Sequence, residues 1–408
     1  MNAILDLALG IMAALGGFVD IGELVFTAQG GAKFGYMLIW TVVVGTIGIM
    51  VYGEMAGRIA AVLQKPTFEI IREQASYRSG LITLVASNIV NLLTCTAEIG
   101  GIAIVLQLLF GLEYRLMLIA AAGLLCIAVY FLKFEWMERV FGLMGLALLV
   151  YAAAAVALKP DWSAVAKGFL PQLPQDNVVV YFYYVVGLFS SIVMPYEIYF
   201  YSSGAIEDKW TVKDLPTNVL TATVGFTLGG LLSIALIVAG ANLFGSHGVV
   251  PDTLSATALP ATAAFGITGL LFALLGMLFA IGGAAVETAL AGAYNVTQFF
   301  GLAWGKDKNI KQAPVFHATW LVLIGSGFAI AMSGINPVLI VEYSVVFAVV
   351  VLPFTYYPIL KTARDKKLMK GHANSPLITA AGWVYFEIIT VAAISAIPLM
   401  IATHMGEG

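Results

Sequence analysis

Two short stretches of the 408-residue sequence carry the residues best suited to chemistry. In the first, Asp20 and Glu23 stand three residues apart, and in the second, Met194 and Glu197 repeat that spacing. Carboxylate oxygens are ligands for hard divalent cations, and a thioether adds a preference for softer first-row metals. These four side chains are therefore candidate ligands of a divalent metal ion.

Both stretches interrupt long apolar segments with residues that break helices. Residues 16–23 read GGFVDIGE and residues 190–197 read SSIVMPYE. A helix that breaks at mid-membrane frees backbone carbonyls and exposes half-helix ends, and both can coordinate a cation. The two stretches therefore predict one midplane site that two broken helices share.

The composition places the chain in a membrane. Of its residues, 61% are hydrophobic and 11% are charged, and the mean hydropathy is +0.95. A soluble domain carries roughly 25% charged residues, so a soluble enzyme, a disordered chain and a nucleic-acid-binding protein are excluded. Because the alternating pattern of a membrane β-barrel is absent, we predict an all-α integral membrane protein in contact with lipid.

The apolar segments predict about eleven membrane-spanning helices in a single domain of residues 1–408. These segments are 8–28, 36–60, 80–110, 116–132, 138–158, 179–203, 218–244, 266–302, 314–333, 337–360 and 376–402. The broken segments are the first and the sixth, so they cross the membrane in opposite directions, as in inverted-repeat transporters. We therefore predict a first five-helix repeat over 8–158, a second over 179–360 and an additional helix over 376–402.

Loop charges predict the orientation. With the N-terminus in the cytoplasm, 16 of the 20 Lys and Arg residues lie inside, and the outer side holds Lys33, Arg115, Lys159 and Lys167. Residues 261–305 are long enough for two spans, but a second span would leave 8 basic residues inside and 12 outside, against the positive-inside rule. We expect one span there, preceded by a lateral or interfacial helix, in a multi-pass plasma-membrane protein.

The acids within the predicted spans lack basic partners. They are Asp20, Glu23, Glu54, Glu98, Glu197, Glu287, Glu342 and Glu387. Among the basic residues, only Arg58 approaches the interior of a span. A charge at this depth must be protonated, hydrated or neutralised by a bound cation. A transported cation explains the imbalance more economically than an anion or a neutral solute.

Each candidate also has an ordinary structural explanation. Asp20 could cap a broken helix, Glu23 could be solvated and Met194 could fill space in the core. Glu197 could line a vestibule, and Glu98 could be a proton site or a neutral acid bonded to the backbone. The other acids are better explained as protonated or helix-end groups: Glu54, Glu287, Glu342 and Glu387.

The motifs of common soluble sites are absent from the sequence. The four His residues lie in loops or near span ends, and no His-Glu-x-x-His, Walker or Cys-x-x-Cys motif occurs. We therefore expect a protein that is not an enzyme, has no nucleotide-binding domain and needs no cofactor, the metal ion being its substrate. Cys95 and Cys126 lie in apolar stretches and indicate no disulfide framework.

At these residues the sequence resembles the Nramp (natural resistance-associated macrophage protein) family of divalent metal transporters. Residues 20–23 (DIGE) and 28–36 (AQGGAKFGY) resemble the family's Asp-Pro-Gly-Asn motif and the Gly-Gly-Ala-x-Phe-Gly-Tyr run after it. Residues 194–196 (MPY) resemble Met-Pro-His of the sixth span, and residues 94–98 (TCTAE) resemble Thr-Asp-Leu-Ala-Glu of the third. Matches in the eighth and tenth spans extend the likeness over nearly the whole chain.

The resemblance implies a leucine-transporter-like fold with the metal at the two breaks. By position, Asp20 and Met194 would be ligands, and Glu23 stands where the family has a ligand Asn. Carbonyls near Gly17 and Ser191 would complete the coordination shell.

Several positions depart from the family's pattern. Ile21 replaces the Pro of the first motif, Cys95 replaces the third-span Asp, and Tyr196 and Glu197 replace the His of the sixth-span motif and the Asn after it. Glu98 matches an acid of the family's proton route, but the ninth span lacks that route's basic residues. These departures predict a metal site of harder character and leave proton coupling open.

We therefore expect transport of a divalent cation by alternating access. Met194 favours Mn²⁺ or Fe²⁺, whereas the added Glu favours Mg²⁺ as the alternative. The departures resemble a divergent, Nramp-related branch that includes magnesium transporters, although those tend to lose the Met ligand that this chain keeps. A second alternative is a cation-coupled carrier of a small organic solute, for which Tyr196, Tyr199 and Phe200 could line a pocket. A third is a membrane sensor or scaffold that transports nothing.

Overall fold

The structure, a computed structural model, describes residues 19–407, a range composed of helices and their connections without a strand. The first half of that range contains α1 (Ile21–Phe34), α2 (Ile39–Leu63), α3 (Thr67–Gln74), α4 (Tyr77–Phe110), α5 (Tyr114–Phe131), α6 (Phe134–Gly145), α7 (Leu149–Ala157) and α8 (Trp162–Lys167). The second half contains α9 (Val178–Ile192), α10 (Pro195–Glu207), α11 (Leu215–Leu220), α12 (Phe226–Leu243), α13 (Leu259–Phe300), α14 (Pro314–Ala331), α15 (Pro337–Ala363) and α16 (Pro376–Ala402).

Within the described range, 10 helical segments are long and apolar enough to cross a membrane. α1, with 14 residues, covers the end of one more predicted span (8–28), of which residues 8–18 lie outside the described residues. The predicted all-α membrane fold is confirmed. Most helix bounds lie within about six residues of the predicted spans, but α1 continues to Phe34, beyond the predicted end at 28, and α13 begins at Leu259, before the predicted start at 266. The predicted residue Gly17 lies outside the described residues.

The long segment around residues 261–305 forms one span, as the loop charges predict. Gly266 adopts φ 62° and ψ −143°, a conformation that separates a short first piece of α13 from the continuous helix that follows. A Cβ atom at Gly269 would lie 2.0 Å from the carbonyl oxygen of Ala261, so the short piece folds back closely onto the long one. Both positions therefore require glycine.

The helices that carry the candidate residues lie inside the bundle. α4 packs against α13, α15 and α14, while α1 packs against α12. At that second contact a Cβ atom on Gly31 would lie 2.6 Å from the carbonyl oxygen of Ile237, so only glycine permits the close approach. In the most apolar part of each span, 78% of the residues of α4 are buried but only 22% of those of α16, which places α16 at the periphery.

Contacts between loops sort the helix ends into two faces. At one face Arg72 donates to the carbonyl of Gln298 at 3.3 Å, and the ammonium of Lys306 donates to the carbonyl of Leu132 at 2.6 Å. The backbone N–H of Lys306 also donates to Glu207 at 2.6 Å. The loops at this face are therefore the ones that carry most of the Lys and Arg residues, which the sequence analysis places in the cytoplasm.

The opposite face gathers the loops predicted to lie outside. The N–H of Trp40 donates to the carbonyl of Gly168 at 2.9 Å. Lys33, at the end of α1, donates to the carbonyl of Gly406 at 2.6 Å. The end of α16 lies at the same face as the end of α1. Counted from α1 to α16, the number of spans is therefore odd, in agreement with the predicted eleven.

We predict from this sorting which loops face the cytoplasm. A cysteine at Lys366 should react with a membrane-impermeant maleimide only after cells are permeabilised, whereas a cysteine at Lys159 should react in intact cells. Both side chains are exposed, and the unsubstituted protein, with its native Cys95 and Cys126, measures background labelling. The reverse labelling pattern would contradict the orientation.

Candidate metal site

Asp20 forms the described edge of the first helix break. Its backbone is extended, with φ −94° and ψ −178°, and it is the N-cap of α1. Its Oδ1 accepts a hydrogen bond from the N–H of Glu23 at 2.8 Å. The capping explanation is therefore correct for one carboxylate oxygen and leaves Oδ2 for another partner.

The second break separates α9 from α10 at Val193 and Met194. Pro195 is the first residue of α10 and pushes Met194 into an extended conformation with φ −68° and ψ 128°. Because proline has no N–H, it cannot bond the carbonyl of Ser191 four residues earlier. The carbonyl of Ser191 therefore lacks its ordinary helical donor, while the hydroxyl of Ser191 donates to the carbonyl of Leu188 at 3.0 Å.

Tyr196 joins the two breaks. Its hydroxyl donates to Oδ2 of Asp20 at 3.3 Å, across 176 residues of sequence. A third helix reaches the same point, because Oε1 of Glu98 on α4 accepts from the N–H of Ile21 at 3.3 Å. The start of α1, the second break and α4 therefore lie together, and Met194 stands two residues before Tyr196 with no exposed surface.

The acids at this junction are buried without basic partners. Asp20, Glu23 and Glu98 are at most 1% exposed, and Glu197 is 5% exposed. In the described part of the chain, neither carboxylate oxygen of Glu23 or Glu197 has a hydrogen-bond partner. The ion pairs found in that part join Arg or Lys to Glu54, Glu69, Glu73 and Glu135 instead.

Glu287 is an acid of α13 that the sequence analysis named among the acids of the predicted spans. α13 packs against α10, the helix of Glu197, and Glu287 is partly exposed. It stands among small residues of α13, including Gly283, Ala284 and Ala291. Small neighbours leave room beside a carboxylate, but they do not show which helix it faces.

The aromatic residues proposed to line an organic-solute pocket face different neighbours. Tyr196 points to Asp20, whereas the hydroxyl of Tyr199 lies 3.0 Å from that of Ser87. Phe200 stacks on a ring of α6 at a centroid distance of 5.4 Å. The three side chains share one side of α10, as the i, i+3 and i+4 spacing requires, but their contacts lie with different helices.

The donors at the breaks are of mixed type. Among residues 19–407, no three His, Cys, Asp or Glu side chains converge as a ready-made metal cluster. The predicted donors lie at the ends of the helices: the carboxylates of Asp20 and Glu23 at the start of α1, and Ser191 and Met194 on either side of Val193 at the second break. Oxygen with one thioether is a donor set for first-row divalent ions.

A helix that breaks at Val193 and Met194 and meets the start of another helix at Asp20, inside an all-α membrane bundle, is the arrangement of a secondary transporter of the leucine-transporter type. A family model described as "Natural resistance-associated macrophage protein-like" (Nramp) matches residues 10–398. The chain belongs to this family, whose members are transporters and not enzymes.

Relatives and solved structures agree with this assignment. The "Divalent metal cation transporter MntH" of Levilactobacillus brevis is 24% identical over 92% of this chain and 85% of its own length. The protein of the same name from Ralstonia nicotianae is 26% identical, over 94% and 88%.

Among solved structures, a manganese transporter of Eremococcus coleocola has a TM-score of 0.76 at 20% identity, over 98% of this chain and 87% of that chain. A nucleobase-cation-symport-1 family transporter has a TM-score of 0.59 at 14% identity, over 96% and 91%. These structural likenesses show the fold.

We predict that Tyr196→Phe destabilises the metal-free protein. The substitution removes the phenol and leaves Oδ2 of Asp20 buried and unpaired, which costs about 1–3 kcal/mol. The apparent melting temperature in detergent should fall, and saturating Mn²⁺ should narrow the difference from the unsubstituted protein. Tyr183→Phe is the matched control, because among the described residues its buried hydroxyl has no hydrogen-bond partner. Equal melting temperatures for the two variants would contradict the prediction.

Proposed function

We propose that this protein carries divalent metal cations across the plasma membrane, with Mn²⁺ as the favoured substrate. The observation that carries the proposal is the junction of the two breaks, where Tyr196 of α10 donates to Asp20 at the start of α1. The names of the MntH relatives and of the manganese transporter support it.

In this proposal the metal binds between the breaks. Oδ2 of Asp20, the sulfur of Met194, the carbonyl of Ser191 and the carboxylate of Glu23 are the ligands that we assign. Gly17 is retained as a predicted carbonyl ligand. When the metal binds, Oδ2 of Asp20 releases the Tyr196 hydroxyl and coordinates the ion instead. In the absence of the metal, the hydrogen bond from Tyr196 to Asp20 joins α10 to α1.

Charge favours a divalent ion at this place. Burying one charged carboxylate in an apolar interior costs roughly several kcal/mol of desolvation free energy. Asp20 and Glu23 both carry that cost when they are ionised. A divalent cation neutralises both carboxylates at once, which an organic solute with one positive charge does not. The charge balance therefore supports the metal over the organic-solute alternative.

Transport requires the site to open alternately to each side. Both α1 and α10 begin at a break, so each half-helix can tilt without bending a continuous helix. Glu98 bonds the N–H of Ile21 through Oε1, while its Oε2 has no partner among the described residues. We assign Glu98 to positioning the first break, with Oε2 able to carry a proton while that bond persists.

Fe²⁺ and Mg²⁺ are the other ions that the donor set admits. Fe²⁺ accepts the same oxygen and thioether donors as Mn²⁺. The carboxylate of Glu23 suits Mg²⁺, but Mg²⁺ keeps several waters and gains nothing from a thioether. Because Met194 is fully buried at the break, we rank Mn²⁺ and Fe²⁺ above Mg²⁺.

We predict that Asp20→Ala abolishes Mn²⁺ uptake into proteoliposomes, because it removes the carboxylate that both breaks share. Asp161→Ala is the matched control. Asp161 also caps a helix, accepting from the N–H groups of Ser163 and Ala164, but it is exposed in a loop far along the chain. Retained Mn²⁺ flux in Asp20→Ala would contradict the proposal, whereas loss in both variants would indicate a general effect of cap removal.

Met194→Ala should change selectivity more than rate. Without the thioether the site presents oxygen ligands alone, so we expect the preference for Mn²⁺ over Mg²⁺ to fall by roughly tenfold. Competition of Mg²⁺ against Mn²⁺ uptake measures it. Met277→Ala, at another fully buried methionine, should leave the ratio unchanged. An unaltered ratio in Met194→Ala would remove Met194 from the ligand set.

A further inference from the structure

Glu387 is an acid on the outside of the bundle. It stands near the middle of α16 (Pro376–Ala402), the peripheral helix, and its side chain is exposed. Because α16 has 27 residues, it is about 40 Å long and crosses a hydrocarbon core of about 30 Å with Glu387 close to the centre. A carboxyl group therefore faces lipid at a depth that contains no water.

No group in the described part of the chain satisfies this carboxyl. The ion pairs found within residues 19–407 involve other acids, and Glu387 takes part in none of the side-chain hydrogen bonds of that range. The hydroxyl of Thr390, one turn further along, donates to the carbonyl of Phe386 at 2.7 Å and is already engaged. Because Glu387 stands far from both helix ends, capping does not stabilise it either.

An exposed seam runs along the whole of α16. Between its two ends the exposed residues recur at alternating steps of three and four: Leu377, Ala380, Val384, Glu387, Val391, Ile394, Pro398 and Ile401. This is the spacing of a helix face that packs against another helix at a small crossing angle. All of these residues except Glu387 have apolar side chains, which lipid alone could cover, so Glu387 is the one that requires a partner.

The seam presents a second polar group besides the carboxyl. Pro398 has no N–H, so the carbonyl of Ile394 lacks its ordinary helical donor. The adjacent hydroxyl of Ser395 donates to two other carbonyls, at 2.9 and 3.1 Å. Lipid offers no donor to the carbonyl of Ile394. Both polar groups therefore favour a protein, rather than lipid, on this face.

A second copy of this chain meets the requirement of Glu387. Two copies in the same orientation place this residue at the same depth, so the two side chains meet wherever the two seams pack. A carboxylic acid donates through its hydroxyl and accepts through its carbonyl, so two of them can bond each other reciprocally. A helix of another protein would need a polar group at this one depth, whereas a second copy has it there by necessity.

We propose that two copies of this protein form a symmetric dimer along the α16 seam, with the two Glu387 carboxyls bonded to each other. The two-fold axis is perpendicular to the membrane, because both copies have the same orientation. α16 packs against α15, α9 and α2 within one copy, and it carries none of the ligands that we assign to the metal. The dimer is therefore independent of which substrate the protein carries.

Cysteine cross-linking of the full chain in liposomes tests the symmetric contact. Val384→Cys and Val391→Cys place a thiol about one turn before and one turn after Glu387. Each should give a disulfide-linked product of twice the chain mass under mild oxidation. Val322→Cys, at a valine of α14 that is 64% exposed, should give none, and the unsubstituted protein measures the background from its native cysteines. Absence of the product in both seam variants, or a product of another mass, would overturn the dimer.

Substitution of Glu387 tests the hydrogen bond. In the Val391→Cys background, Glu387→Leu should raise the dissociation constant roughly tenfold, because a polar contact across membrane helices is lost. Leucine is stable against lipid, so the monomer should fold normally. Glu387→Gln is the matched control, because an amide also donates and accepts, and it should stay within about twofold of the parent. The measurement is the cross-linking yield as the protein is diluted in lipid. Equal dissociation constants for Glu387→Leu and the parent would overturn the proposed contact and leave the proposed function standing.

Discussion

The absence of positive side chains beside the buried acids constrains the rest of the site. Asp20 and Glu23 lie at the start of α1, and Glu197 follows the break before α10, all with almost no exposed surface. The described ion pairs are located elsewhere. Folding therefore leaves a charge that only a proton or an arriving cation can balance, and a divalent ion balances two carboxylates at once. A transporter needs such a site, because a permanent basic partner would compete with the substrate.

The helix breaks make this arrangement compatible with a membrane. A backbone carbonyl exposed to lipid is costly, so a broken helix is stable only where it lines a protected site. Pro195 frees the carbonyl of Ser191, and Asp20 caps α1 with one oxygen while it presents the other to Tyr196. The same residues that terminate helices thus supply ligands. The phenol–carboxylate contact joins the start of α1 to the start of α10 without a metal.

Local sequence patterns predicted most of the fold. The site was harder to predict, because the sequence does not show in which direction each side chain points. Apolar runs located the spans, Pro195 marked the second break, and loop charges indicated a single span near Gly266. These signals lie within a few residues of one another in sequence. By contrast, which face of α13 carries Glu287, and where Tyr199 points, depend on packing between distant helices, which hydropathy does not encode. The short helix α3, whose Thr67 bonds Ser202 at 2.9 Å, was missed for the same reason.

The central claim is that Asp20 and Met194 hold one divalent metal ion between the two breaks. A crystal structure of the protein soaked in Mn²⁺, with anomalous scattering recorded near the manganese edge, tests it most directly. The account predicts an anomalous peak within coordination distance of both Oδ2 of Asp20 and the sulfur of Met194, and the peak should persist in excess Mg²⁺. A fully loaded crystal without a peak between those two atoms would contradict the account.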